Sequence, residues 1–278
     1  AVLRADEARV TLRLLSLLLT PETSIDEILL TGAHVDVVRR ADGSWNYDDI
    51  GADDGKPSTF EGRIRVADAT ANVDTDGNVY ELRAITGTVD IDHSDVSYDL
   101  TGALSGVPLR VRGTYVGGTQ ELDLSATDTD GMPLLKYLPE SSLPEEIRVN
   151  TLHADRVHME MRRVDGVTTF DGHVDGVHGT ADIYGTKTDL QTSAFRFNER
   201  EIFLAATAEA EGQRARVDGT IRLDADTPYL DLHVTAADFA VDRVVPDSVY
   251  TGGVTADVHV TGTFAAPMAA GRLTAAAG

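Results

Sequence analysis

The chain has 278 residues, which is enough for one large β domain or two smaller ones. Its 46 acidic side chains outnumber the 24 basic ones and give a formal net charge of -22, which argues against binding to nucleic acid or to an anionic bilayer through surface charge. Cysteine is absent, which excludes disulfides, thiolate metal sites and a cysteine nucleophile.

The N-terminal part is predicted to contain a short helix. Residues 12–19 are mostly leucine and end before Thr20-Pro21, which stops a helix. Arg13 interrupts this run, and the run is too short to span a bilayer. Residues 1–9 carry charges and do not resemble a signal peptide. We expect both ends of the sequence to be cuts, with any anchor or export signal outside it.

From about residue 60 onward, apolar and polar residues alternate with the period of a β-strand. Phe60, Ile64 and Val66 fall on one face, whereas Glu61 and Arg63 fall on the other. The same alternation recurs in residues 107–115, 122–126, 157–161, 202–210, 215–223, 230–234 and 254–262. These faces contain many alanines and glycines, which fit a tightly curled sheet or one with room for guest molecules better than a bulky sandwich core.

Dipeptides that favour hairpin turns separate the strands. They are Asp42-Gly43, Asp76-Gly77, Gly117-Gly118, Asp130-Gly131, Asp165-Gly166 and Gly252-Gly253. Tight turns require antiparallel pairing, so the chain is predicted to be mainly β, a long antiparallel β-meander of about fifteen to twenty strands. A single helical turn is predicted at 133–138, and Pro139 and Pro144 mark a break at 137–146. The predicted segments are 1–58, 59–138 and 139–278.

Two Asp-rich stretches and the histidines were considered as metal sites. Arg83 occupies the position where a calcium loop beginning at Asn72 needs its bidentate glutamate, and Ala126 and Tyr137 break the second copy, so hairpin turns are the better interpretation of 74–77 and 128–131. The histidine spacings match no zinc ligand set, and alternation places His158, His173, His178, His233 and His259 on the charged face. We therefore expect no metal, no cofactor and no catalytic residues.

Three segments near the N-terminus carry a family resemblance. They are residues 9–19, residues 24–32 and residues 35–46, the last of which ends in Arg40-Ala-Asp-Gly-Ser-Trp-Asn46. They resemble the N-terminal part of the TamB and AsmA-like proteins of the bacterial envelope, in which a short helix precedes a strand and the next strand ends in an Arg-x-x-Asp-Gly-x-Trp-Asn turn. Residues 101–113, 122–126, 252–267 and 271–274 are similar to the repeated strands of that family.

The resemblance implies a sheet curled into a taco-like open trough with a hydrophobic interior, in a protein anchored in the inner membrane that crosses the periplasm. It implies bridge-like phospholipid transport between the membranes and support of outer-membrane biogenesis. The anchoring segment and the region that docks an outer-membrane Omp85-type partner would lie outside this chain. We expect a monomer that binds no nucleic acid.

Alternation and resemblance together predict a groove for phospholipid acyl chains. Its lining residues are predicted to be Phe60, Ile64, Val66, Val111, Tyr115, Leu122, Leu124, Val157, Met159, Leu204, Val217, Ile221, Leu232 and Val258. Two alternatives stay open: a structural or adhesive envelope β-repeat protein with a closed core and protein partners, and a carbohydrate-active β-helix whose clustered carboxylates, such as Asp90 and Asp92, act in a cleft. Alternation alone does not separate an open groove from a closed core.

Overall fold

A computed structural model describes residues 3–12, 25–41, 46, 61–75, 78–93, 95–137, 147–183, 185–223, 227–240, 252–263 and 266–275. They form two compact units. Unit 1 lies within residues 1–126 and 160–168, and unit 2 lies within residues 127–159 and 169–278. The described residues are mainly β, in a long antiparallel meander, so the predicted fold class is confirmed.

The described residues of the first half of the chain form nine strands, and those from β5 onward are ten or more residues long. Their bounds are β1 Leu3–Arg4, β2 Glu7–Leu12, β3 Ile25–Thr31, β4 His34–Val38, β5 Gly62–Thr75, β6 Asn78–Asp92, β7 Asp95–Leu104, β8 Val107–Val116 and β9 Thr119–Asp130. The pairs β5–β6, β6–β7, β7–β8 and β8–β9 are antiparallel and join neighbours in the chain.

Unit 1 departs from the antiparallel prediction at its N-terminal edge. β3 pairs parallel with β5 through Ile28 and Ile64, and β4 pairs parallel with the same strand through Val37 and Val73. A parallel pair needs a connection of about a dozen residues or more, and residues 39–61 are long enough to supply it. β2 and β1 then pair antiparallel with β3 and β4, respectively.

Nine further strands are formed by the described residues from Ile147 to Ala275. Their bounds are β10 Ile147–Val164, β11 Val167–Asp175, β12 His178–Ile183, β13 Thr186–Asn198, β14 Glu201–Ala210, β15 Gln213–Arg222, β16 Tyr229–Ala240, β17 Gly253–Thr263 and β18 Ala266–Ala275. In unit 2, β12 to β18 pair antiparallel in chain order, β10 pairs with β12, and β11 pairs with β13.

Two-residue hairpins connect several of these strands, as the turn dipeptides predict. Gly117 and Gly118 have φ angles of 55° and 84°, and Asp165 and Gly166 have 50° and 81°. Positive φ at both positions matches the twist of the flanking strands. Thr75 pairs with Asn78, which makes the connection between β5 and β6 two residues long. Two further hairpins of this kind occur at 105–106 and 211–212.

Two predicted hairpins are wrong. β9 ends at Asp130, and a 3-10 helix spanning Met132–Tyr137 follows, because the Asp130 carboxylate accepts a 3.0 Å bond from the Met132 backbone N–H. Gly253 is the first residue of β17 and pairs with Ala240, so Gly252-Gly253 is not a two-residue turn between β16 and β17. The short helix predicted at 133–138 is confirmed as far as residue 137.

Several predictions fall on other parts of the chain. The predicted helix at 12–19 begins at Leu12, which the structure assigns to β2, and the rest of it lies outside the described residues. Other predictions that lie outside the described residues concern Phe60, Asp42-Gly43 and the segment boundaries at 58–59 and 138–146, and they stay predictions. The trough shape inferred from the family resemblance also stays a prediction.

The core is thin and made of small side chains. The apolar residues buried among the described ones are seven alanines, one valine and one leucine: Ala33, Ala69, Val107, Ala126, Ala154, Ala181, Ala205, Ala210 and Leu230. No described large side chain reaches full burial, that is, less than 2% exposure. A closed sandwich core would enclose large apolar side chains completely. In the described part of each unit the buried apolar residues are therefore mainly alanines.

Candidate functional site

The apolar side chains of unit 1 form rows across its strands. Directly paired residues of a sheet point to the same face, so the register fixes these rows. One row runs Val10, Ile28, Ile64, Val89, Tyr98, Gly113, Leu122, and the next runs Ala8, Leu30, Val66, Gly87, Leu100, Val111, Leu124. A third, shorter row runs Gly62, Ile91, Val96, Tyr115, Gln120. We call the surface formed by these rows the apolar face of unit 1.

All described groove candidates in unit 1 lie on this face. Ile64, Val66, Val111, Leu122 and Leu124 are half-buried. Tyr115 lies in the outermost of the three rows, and its exposed fraction is 45%. The register thus brings together residues that are up to sixty positions apart in sequence.

Unit 2 repeats this arrangement with its own rows. They run Phe195, Leu204, Gly219, Leu232, Val260, Ala269; Thr192, Ala206, Val217, Val234, Val258, Gly271; and Phe197, Ile202, Ile221, Leu230, Gly262, Pro267. A fourth row of smaller residues runs Leu190, Ala208, Ala215, Ala236, Ala256, Leu273. We call this surface the apolar face of unit 2.

Five of the seven predicted groove residues of unit 2 lie in these rows. Leu204, Val217, Ile221, Leu232 and Val258 belong to the rows and are half-buried.

The other two, Val157 and Met159, are half-buried on β10. They flank His158, whose ring lies 5.3 Å from that of His173 on the charged face, so the alternation of the strand places both on the opposite side.

The sequence analysis missed several members of both faces. On β6 and β7 of unit 1, Val89, Ile91, Val96, Tyr98 and Leu100 alternate with polar residues, so the same period-two signal would have found them.

In unit 2 the omitted members include the aromatic residues Phe195 and Phe197 and the aliphatic residues Ile202, Val234 and Val260. Their rings and branched chains supply most of the remaining bulk of that face.

Glycines on the apolar faces sit where a neighbouring group leaves no room for a side chain. Tyr98 lies over its pair Gly113, and Phe197 lies over its pair Gly172. Each aromatic ring covers the backbone that the glycine leaves bare. Burial raises the pKa of Tyr98, while a hydrogen bond with the Gln120 side chain acts in the opposite direction.

The opposite face of unit 1 carries ion pairs between strands. Arg63 donates to Asp90 at 2.7 Å, and Arg110 donates to Asp99 at 2.8 and 2.5 Å. The Arg110 guanidinium lowers the pKa of Asp99, and Arg112 at 3.4 Å adds to the effect. The pairs are solvent-exposed, so they favour solubility and register more than stability.

Histidines on unit 2 face one another across strands, which their sequence spacing does not show. The pairs are His153 with His178 at 4.8 Å between ring centroids, His158 with His173 at 5.3 Å, and His233 opposite His259 in the register. His233 and His259 each contact a carboxylate, of Asp257 at 2.7 Å and Asp231 at 2.5 Å, so their predicted place on the charged face is confirmed.

The groups in unit 1 that come nearest to a metal site are Glu61, Asp92 and His93, whose ligand atoms lie within 4.8 Å of one another. Both ring nitrogens of His93 face a carboxylate, Nδ1 at 2.8 Å from Asp92 and Nε2 at 3.1 Å from Glu61. The hydrogen bond with Asp92 and the charge of Glu61 raise the pKa of His93. A metal ion binds only a neutral imidazole. Because the two carboxylates stabilise the protonated ring of His93, this arrangement favours a proton over a metal ion.

Comparisons with known proteins give no further identification. No protein-family model matches the chain, and no curated protein and no solved structure matches it.

Among the residues that the structure describes, no helix has the length and apolar character needed to cross a membrane.

Proposed function

We propose that the apolar faces of both units bind the acyl chains of phospholipids, in a protein that carries lipids between the inner and outer membranes. The observation that supports this is the combination of continuous apolar rows across several strands with the lack of any fully buried large side chain among the described residues. Half-buried rows of this kind leave apolar surface for a guest molecule to cover.

The energetics favour an acyl chain as that guest. Each methylene that leaves water gains about 0.8 kcal/mol, so a single chain of ordinary length gains several kcal/mol from contact along one row. Contacts with Val, Leu, Ile and Ala side chains are non-directional and do not select one position. A chain can therefore slide along the rows, which transport between two membranes requires.

Small residues and charge fit the same function. Ala206, Ala208, Ala215, Ala236 and Ala256 stand on the apolar face of unit 2 where larger side chains would fill the space above the strands.

The charged faces and the net charge of -22 keep long strands soluble and apart from one another.

The cellular setting is part of the same proposal. The resemblance of residues 35–46 and 252–267 to the TamB and AsmA-like proteins supports a periplasmic location with an inner-membrane anchor. It also supports a role in outer-membrane biogenesis together with an Omp85-type partner.

Native mass spectrometry of the 278-residue chain, purified without detergent from a diderm host, tests the proposal. We expect several phospholipids per chain, and we expect the combined substitutions Val111→Asp and Leu204→Asp to remove most of them because each places a charge in an apolar row. The matched control combines Thr114→Asp and Thr207→Asp, on the charged faces of the same two strands.

Circular dichroism establishes that each variant is folded. A folded wild-type chain without lipid would contradict the proposal and favour the structural alternative with protein partners. Equal loss of lipid in the control variant would also contradict it, because the apolar rows would then not be the binding surface.

A further inference from the structure

The charged face of unit 2 contains an exposed aromatic side chain at a position where the alternation of the strand predicts a polar residue. Phe203 lies on β14 between Glu201 and Ala205, opposite Arg196 on β13 and Thr220 on β15. It is 38% exposed, more than any other described phenylalanine or tyrosine of unit 2. It faces away from the apolar rows, so it contributes nothing to the proposed acyl-chain surface.

Phe203 lines a cavity of about 390 Å³. Small-molecule sites in proteins have volumes of about 300–1,000 Å³ and combine an apolar wall with a few polar groups. The rest of its lining is the strand segment at Gly172 and Phe197, whose side chain belongs to the apolar face, and five polar residues: Asp171, Arg196, Asn198, Glu201 and Thr220. A single exposed phenylalanine is ordinary on a protein surface. What distinguishes Phe203 is that it lines a cavity together with several hydrogen-bonding groups.

The charged groups of the cavity are available to a ligand. Among the described residues, Asp171, Arg196 and Glu201 form no side-chain hydrogen bond and no ion pair. Asn198 is held in place, because its Oδ1 atom accepts bonds from the backbone N–H groups of Arg200 at 2.8 Å and Glu201 at 3.0 Å. This leaves the Asn198 amide N–H₂ group as a donor beside the cavity.

The mixture of donors and acceptors selects the chemistry of the ligand. An anion would meet the carboxylates of Asp171 and Glu201, and a cation would meet the guanidinium of Arg196. A neutral polyol suits all of them, because each hydroxyl both donates and accepts a hydrogen bond. The C–H groups on one side of a pyranose carry partial positive charge and pack well on the negative face of a phenyl ring.

We propose that this cavity binds a neutral pyranose, stacked on Phe203 and hydrogen-bonded through its hydroxyls to Asp171, Arg196 and Asn198. The ligand is a sugar unit, either free or within an oligosaccharide. The site lies on the face opposite the apolar rows, so its failure would leave the acyl-chain proposal untouched.

Titration of the uniformly ¹⁵N-labelled 278-residue chain with methyl β-D-glucopyranoside and with maltotriose, followed by amide chemical shifts, tests the site. A ligand of this size in an open site is expected to bind with a Kd on the order of 1 mM. The shifts should concentrate on β13 and β14. Similar affinities would show that one ring fills the site, and tighter binding of maltotriose would show that an oligosaccharide extends beyond it.

Two substitutions of Phe203 separate the contribution of ring stacking to sugar binding from other effects of changing this residue. Phe203→Ala removes the aromatic platform and should weaken binding about five- to tenfold, whereas Phe203→Tyr keeps it and should bind like the wild type.

Asp171→Asn, which keeps the shape of the side chain, reports on the hydrogen bonds and should also weaken binding. Lack of saturable shifts with either sugar up to 20 mM, or equal binding by the Phe203→Ala variant, would overturn the proposal.

Discussion

The ring of Tyr98 on β7 covers Gly113, the residue directly opposite it on β8, so closely that a methyl group at position 113 would overlap the ring. The pair lies in the middle of the row that connects Val89 to Leu122. At this point of the row, the large side chain comes from Tyr98 on β7, and the space that accommodates it comes from Gly113 on β8.

Gly113→Ala is expected to lower the free energy of unfolding by about 1–3 kcal/mol, because the added methyl displaces Tyr98 from its place in the row. Urea unfolding measures the loss. In a double-mutant cycle, Gly113→Ala should cost less in a Tyr98→Ser background, and part of the cost should remain because the backbone oxygen of Glu121 would lie 2.5 Å from the new Cβ.

Gly102→Ala is the control, since its new Cβ would have no atom closer than 3.2 Å and should have a small effect. An undiminished cost in the double mutant would disprove the overlap.

Asp99 should titrate below the usual aspartate range near pH 3.9, because Arg110 donates two hydrogen bonds to its carboxylate. Its contribution to stability is present above the unfolded pKa and is lost as the pH falls through the lowered folded pKa. Carbon-detected NMR of the side-chain carboxyl measures this titration. Arg110→Gln should raise the pKa of Asp99.

Arg83→Gln is the matched control for Asp99, since Arg83 pairs with Glu81 instead. An Asp99 midpoint that Arg110→Gln leaves unchanged would show that the guanidinium does not set the pKa.

His93 should titrate above the usual histidine value near 6.5, because Asp92 and Glu61 stabilise its protonated form. The associated stability is fully present below the unfolded pKa and is lost as the pH rises through the raised folded pKa. NMR titration of the imidazole carbons, with the His93 signal assigned from a His93→Gln spectrum, measures it. Asp92→Asn should lower the pKa more than Asp95→Asn, since the hydrogen bond that His93 Nδ1–H donates to Asp92 is the largest cause and the charge of Asp95 a lesser one.

Equal effects of the Asp92→Asn and Asp95→Asn substitutions would mean that overall negative charge, not the hydrogen bond, raises the pKa of His93.

The same substitution at two neighbouring positions on β16 should weaken the binding of an apolar probe at one position and leave it nearly unchanged at the other. Val234 pairs with Val217 and Val258 on the apolar face of unit 2, whereas Thr235 pairs with Arg216 and Asp257 on the charged face. Val234→Asp should weaken the binding of an apolar naphthylamine fluorophore severalfold because it charges the centre of a row. Thr235→Asp should leave that binding nearly unchanged, and a similar loss in both variants would contradict the assignment of faces.

The sequence predicts the strands and their faces because side chains alternate with a period of two along a β-strand. Alternation identified the strands that carry Val111, Leu124 and Val217 and the side on which each residue lies, because neighbouring side chains of a strand point to opposite faces. Turn chemistry located the hairpins at Gly117-Gly118 and Asp165-Gly166, since positive φ is local. It failed at Asp130-Gly131, where the Asp130 side chain starts a 3-10 helix.

The amino-acid sequence by itself determined the fold class, the two faces of each strand and the charge of one of them, since these depend on residues adjacent in the chain. Only the tertiary structure decided the parallel pairing of β3 and β4 with β5, the opposition of His233 to His259, and the position of Phe203 in a polar cavity. Those features depend on the register between strands, which long-range pairing sets and no local pattern encodes.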